Sequence, residues 1–221
     1  MIAPVHRLKK DDIIWLSRNR CKHSHTYLEH YNCYLNDNPD KCRVGYFDIE
    51  SSNLKADMGF VIAWYILDEK GNYHGRTITK EELYKCTYPD QKLMKELVKE
   101  LKNYDIIRTY FGSRFDIPFI RTRCVIQNLE FPFYGTLKHK DVYYTIKSKF
   151  SLVNKKLETA CEMLLGDSNK TKWSVKHWVG AIQGKQKSLD YIDEHCRYDV
   201  LDLKRLTDKV IEFAYPINRS I

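Results

Sequence analysis

Turn-forming residues are scarce in this chain: 221 residues hold six prolines and nine glycines, with no internal repeat or low-complexity tract. That excludes collagen-like, linker-rich and solenoid architectures. Long hydrophobic runs are missing too. The longest, from Phe60 to Leu67, is far below the roughly 20 residues that span a bilayer, so no membrane span is expected. The opening stretch MIAPVHRLKKDDII lacks the apolar segment and small-residue cleavage site of a secretory signal. A cytoplasm-like compartment is therefore the expectation. Cysteine is present in an odd number, seven, in a chain too large to depend on staples, which argues against a secreted disulfide framework and for free thiols or a metal site.

What is present suits a globular protein. Hydrophobic residues make up 43% and charged residues 30%, so one sizeable domain plus an extension is expected. Thirty-seven Lys and Arg against twenty-nine acids give a formal charge of +8. The excess is concentrated in residues 145–189, with nine lysines against three acids. Phe150, Trp173 and Trp178 are interleaved there, which suits a nucleic-acid track where lysines meet phosphates and aromatic faces stack on bases. The plain alternative is a solvated surface over buried aromatics.

A polar region, residues 1–42, carries its own Cys and His residues. Strand-like segments follow near 43–50, 58–67 and 73–79, the last two joined by the turn EKGN as a hairpin. A helical pattern covers about 91–102, then a strand 105–111, then a helix opening near Asp116. From Asp141 onward the pattern is mainly helical, ending in a long amphipathic helix over 188–214. Strands, then alternation, then helices define a mixed α/β chain.

The segment GYFDIES, residues 45–51, places Asp48 and Glu50 in a strand. Residues two apart share a face, so the two carboxylates are neighbours. Their repulsion must be offset by a cation, a basic partner or a shared proton, and a divalent metal is the simplest remedy. A strand end reaching solvent is the alternative. In YFGSRFDIPFIRTR, residues 110–123, Asp116 stands where strand meets helix. An N-cap role is open to it, with Pro118 in the first helical turn. If the strand before it lies beside the first strand, its carboxylate emerges near Asp48.

The last helix tests a third position. Advancing about 100° per residue puts Ile192, Cys196, Leu203, Leu206, Val210 and Phe213 on one side. Asp199 falls near the middle of that stripe and His195, one turn earlier, flanks it. An unpaired carboxylate there would cost several kcal/mol, so Asp199 needs a partner. Val200 and Leu201 stray from the stripe. The competing pair Tyr198 and Asp202 has the same spacing but falls outside it or at its edge.

FDIES, FGSRFDIPF and HCRYD, in that order, resemble the three exonuclease motifs of the DEDD, or DnaQ-like, family with its ribonuclease-H-like fold. The likeness, strongest to the YprB-like predicted exonucleases, extends over residues 43–214 and includes HKDVYYTIKSKF and LETACEMLLG between the second and third motifs. It implies a ribonuclease-H-like mixed sheet flanked by helices in residues 43–221, after an N-terminal extension, residues 1–42. It implies that Asp48, Glu50, Asp116 and Asp199 hold two Mg²⁺ or Mn²⁺ ions and that His195 stands at the general-base position, where other members carry tyrosine. The activity implied is hydrolysis of phosphodiester bonds from a 3′ end in single-stranded nucleic acid, DNA ahead of RNA. A catalytically silent binding module and a structure-specific endonuclease remain as alternatives on the same fold. Phe111 departs from the pattern, which often has Asn there, and Asp141 matches an acid common in the group but outside its core set, with a structural role expected.

The N-terminal region offers Cys21, His23, His25, His30, Cys33 and Cys42. Four of these could hold one structural Zn²⁺, since thiolate and imidazole are its preferred ligands, and such an ion would pin an extension too small for its own core. Buried cysteines and surface histidines are the alternative.

Overall fold

A computed structural model describes residues 3–133 and 135–214; residues 215–221 of the expected 43–221 domain lie outside the described residues. Two helices, α1 (Lys10–Arg18) and α2 (Tyr31–Asp37), belong to the N-terminal segment. Then come β1 (Val44–Ser51), β2 (Val61–Asp68), β3 (Tyr73–Thr77), α3 (Lys80–Lys85), α4 (Gln91–Leu101), β4 (Ile106–Thr109) and α5 (Asp116–Ile126). The remainder is β5 (Lys138–Asp141), α6 (Val142–Lys149), α7 (Leu157–Leu165), α8 (Val175–Ile182) and α9 (Gln186–Val210). Among the described residues no helix is long and apolar enough to cross a membrane.

The five strands form one sheet in the order β3-β2-β1-β4-β5. β1 runs antiparallel to β2 and β2 to β3, while β4 and β5 run parallel to their neighbours. β2, VIAWYILD, is a nearly continuous apolar run because it lies inside the sheet with both faces covered. The hairpin to β3 closes where Asp68 accepts hydrogen bonds from the backbone N–H groups of Lys70 (2.8 Å) and Asn72 (2.9 Å), and Gly71 supplies the positive φ of 87°.

Helices cover both faces. α4 presents Leu93, Met94, Leu97, Val98 and Leu101 to the core, the i, i+3, i+4 pattern of an amphipathic helix. Asp90, at its N-cap and fully buried, accepts from Val61 N (3.0 Å), from Arg123 Nε (2.9 Å) and Nη2 (2.7 Å), and from Gln127 Nε2 (2.8 Å). One carboxylate thereby ties α4, α5 and β2 together. On the opposite face α9 lies across β1, β2 and β3, with α6, α7 and α8 packed against it.

Several expectations shift in detail. Asp116 is the first residue of α5, not its cap, which is Phe115. β5 has no counterpart among the expected strands; its KHKD sequence has no apolar alternation. α9 starts at Gln186 and its α-helical part ends at Val210, where a 3₁₀ turn, Ile211–Ala214, takes over. Phe213 is exposed in that turn, so it leaves the stripe, whereas Val200 joins it. Val200 is buried because α7 and α8 widen the covered face of α9. The seven cysteines are unbonded to one another.

Candidate active site

The parallel pairing of β1 with β4 brings the start of α5 beside the end of β1. There Asp116 Oδ1 accepts a hydrogen bond from Ile49 N (3.1 Å), which fixes that carboxylate between the positions of Asp48 and Glu50. α9 crosses the other way and delivers His195 and Asp199. All five side chains line one cleft of about 840 Å³.

Within it Glu50, His195 and Asp199 lie closest, each offering a ligand atom within 4.8 Å of the others. His195 Nε2 is 3.7 Å from Glu50 Oε1. Asp48 Oδ2 receives the Cys196 thiol at 3.6 Å. Asp48 and Asp116 line the same wall without joining that tight triple.

The electrostatics of the cleft are strained toward positive charge. Burial, followed by the fields of Asp116, Glu50 and Asp199, pushes the Asp48 carboxyl well above the ordinary range. Glu50 is raised the same way, by burial and then by Asp199. Burial lifts Asp116 to about 7 even though backbone N–H groups, its own and that of Ile49, pull down on it. Asp199 keeps one oxygen, Oδ1, buried without a hydrogen-bond partner. Desolvated carboxylates with an orphaned oxygen, all hard oxygen donors, form a set that fits divalent ions of the magnesium class.

One cation is built in. Lys170 Nζ reaches Asp199 Oδ2 at 2.7 Å; burial opposes its charge, but Asp199, Asp48 and Glu50 outweigh that and raise its pKa. The residue before α8 that faces His195 is Thr171, whose hydroxyl is hydrogen-bonded to Nδ1. Neither Lys170 nor Thr171 stands out in the sequence as a site residue. They lie on an irregular stretch, residues 167–174, with no periodicity to phase. The signal that points to them is Asp202, one turn beyond Asp199 and fully buried. It accepts from Ser168 Oγ (2.8 Å), Asn169 N (2.8 Å), Asn169 Nδ2 (2.7 Å) and Arg205 Nη1 (3.1 Å), so it anchors that stretch over the cleft.

Burial lowers the His195 pKa, partly opposed by Asp199, so the ring is neutral at neutral pH. Trp178 meets it edge-on at 5.3 Å. Tyr198 turns away and donates to Glu194 (3.1 Å). The Asp141 carboxylate accepts from Phe111 N (2.8 Å), Ser113 N (2.9 Å) and Tyr143 N (3.2 Å), and so holds the turn that leads into α5. Phe111 itself has φ 65° and packs its ring on Tyr143 at 4.8 Å, at the cleft's rim. Of the basic segment, Lys155, Lys156 and Lys170 line the cleft with Trp173 and Trp178.

Comparison with known proteins agrees with this architecture. The sequence model of the RNase H superfamily matches residues 45–211, the sheet and every helix that faces the cleft. A DNA polymerase of Methanocaldococcus jannaschii is 33% identical over 67 residues, which is 28% of this chain and 4% of the polymerase. The matched stretch is thus a small fraction of that protein's length.

Proposed function

The chain belongs to the RNase H superfamily, and from that premise we propose that it is a metal-dependent 3′-5′ exonuclease of the DEDD, DnaQ-like type, nearest the YprB-like group, acting on single-stranded nucleic acid, DNA ahead of RNA. The observation that carries the reading is the meeting of carboxylates from β1, α5 and α9 in one cleft, with an orphaned oxygen on Asp199. Asp48, Glu50, Asp116 and Asp199 would hold Mg²⁺ or Mn²⁺. Ions bound there supply Lewis-acid polarisation of the phosphate and a lowered pKa for the attacking water.

The chain's own residues account for the rest. His195 has its Nδ1 hydrogen-bonded to the Thr171 hydroxyl; with the ring proton on Nδ1, the Nε2 lone pair would face the cleft and could take a proton. Lys170, paired with Asp199 Oδ2, offsets part of the carboxylate charge and leaves Oδ1 as the oxygen that would meet an ion. Trp173 and Trp178, with ring centroids 6.0 Å apart, offer faces for terminal bases, while Lys155 and Lys156 meet phosphates.

A second reading has one observation in its favour. Lys170 already satisfies Asp199 Oδ2, as expected of a nucleic-acid-binding module that has lost turnover. Incubating end-labelled single strands with Mg²⁺ or Mn²⁺ separates the two. A ladder shortening from the 3′ end supports the exonuclease; an intact but shifted band supports the silent module; a single internal cut would reassign the activity to a structure-specific endonuclease.

A further inference from the structure

A second donor cluster lies in the N-terminal segment, apart from the acidic cleft. Cys21, His23, His30 and Cys33 each offer one ligand atom within 4.8 Å of the others. Cys21 Sγ is 3.9 Å from His23 Nδ1 and 3.5 Å from His30 Nδ1. Cys33 Sγ is 3.4 Å from His23 Nδ1 and 3.6 Å from His30 Nδ1. We propose that these four side chains bind one structural Zn²⁺ through two thiolates and two Nδ1 atoms.

The distances carry the argument. Tetrahedral zinc with bonds of about 2.3 Å to sulfur and about 2.0–2.1 Å to nitrogen sets each sulfur-to-nitrogen edge at ~3.6 Å. All four such edges are present within a few tenths of an ångström of that value. Ordinary hydrogen bonding is a poorer account, because each Nδ1 offers either one proton or one lone pair, which cannot serve two sulfurs equally well, and four edges are met at once. A disulfide is a poorer account still, since the two sulfurs are unbonded and each sits against both imidazoles.

The chain is bent to make the cluster. Arg20 and Thr26 bridge as an antiparallel pair, and within that loop Ser24 N donates to Cys21 O (2.9 Å) with Ser24 at φ 66°. This turns His23 back over Cys21. His30 is the N-cap of α2 and Cys33 lies in its first turn, where Cys33 N donates to His30 O (2.9 Å). Both cysteines are buried, each 6% exposed, while His23 is exposed. Of the six candidate donors, His25 is left outside with its ring edge-on to His30, and Cys42 packs between the two apolar clusters.

The role follows from the packing. The segment's own core is small: among the described residues Ala3, Leu16, Tyr31 and Leu35 form its buried apolar cluster. Chains of this size rarely hold a fold by apolar burial alone and use a metal instead. Four protein ligands leave no open position, which makes the site structural. The ion would fasten the Arg20–Thr26 loop to α2.

Elemental analysis of the full chain, purified without added metal, tests this. About one zinc per chain is expected, retained when Asp48→Ala and Asp199→Ala are combined to disable the acidic cleft. Cys21→Ser and Cys33→Ser should each lose most of it, whereas His25→Ala and Cys42→Ser should keep it. Because the cysteine variants could misfold, the wild type is also exchanged into Co²⁺. Thiolate-to-cobalt charge transfer with the intense visible bands of a tetrahedral ion is expected. Zinc far below one per chain together with no thiolate bands in Co²⁺, or zinc lost with the acids and kept without Cys21, overturns the proposal.

Discussion

At the scale of the residue, His195 has Nδ1 committed to Thr171 and Nε2 turned toward Glu50. A general base so placed is worth about 10²–10⁴-fold in rate. His195→Ala is therefore expected to lose that much in kcat on a labelled single strand, while Tyr198→Phe, whose hydroxyl bonds only Glu194, stays close to wild type; the reverse order would mean the wrong side of α9 had been assigned. Asp116 supports a pH prediction for protein freed of Mg²⁺ and Mn²⁺. Its carboxyl is raised from the ordinary 3.8 to about 7, so the folded chain holds that proton more tightly than the unfolded one. The stabilisation is full below about 4 and is lost as pH rises toward about 7; Asp48 and Glu50 shift in the same direction. Thermal melts should show the wild type losing Tm relative to Asp116→Asn as pH rises across that window, and a difference that moves in the wild type's favour would contradict the burial described. Strand alternation makes the Asp48 and Glu50 pair legible in the sequence, and helix phase does the same for His195 and Asp199. Lys170 and Thr171 are not legible, because an irregular stretch has no period and its path is set by hydrogen bonds to Asp202 from far along the chain.

At the scale of the element, the Asp90 carboxylate joins three of them. Four donors converge on it at 0% exposure, so Asp90→Ala strands the Arg123 guanidinium in the core. Removing one partner of a buried pair costs about 3–5 kcal/mol. Urea unfolding should show a loss of that size with an unchanged slope; a loss under about 1 kcal/mol would mean that water reaches Arg123. Elements with a clean pattern are readable from the sequence: β1, α4 and α9 follow from alternation or a 3.6-residue stripe, and β2 from its unbroken apolar run. β5 is not. Its four residues, Lys138, His139, Lys140 and Asp141, become a strand because β4 offers a parallel partner, a tertiary cause that leaves no local mark. α3 is similarly short, and what specifies it is the reciprocal cap between Thr79 and Glu82 rather than an apolar face.

At the scale of the whole molecule, the charge of +8 acts at the cleft through Lys155 and Lys156. Single-strand affinity should fall with salt, and each phosphate that a lysine neutralises adds about 0.7 to the steepness of the log-log plot. Lys155→Ala combined with Lys156→Ala is expected to flatten the slope by about 1.4, read by fluorescence anisotropy over a salt series in Ca²⁺ to suppress turnover; an unaltered slope would place the nucleic acid elsewhere. The same scale gives α9 a further meaning. At about 1.5 Å per residue, its 25 residues make a rod of roughly 37 Å. Asp193 grips Tyr65 and Thr77 about a third of the way along, and Asp208 holds Tyr46 near the C-terminal end. His195 and Asp199 ride between these two moorings at a spacing the helix itself fixes, so a shift of the rod carries both of them together relative to the strand carboxylates. Damage far from the chemistry that displaces α9 should therefore register in the cleft as a joint displacement of His195 and Asp199.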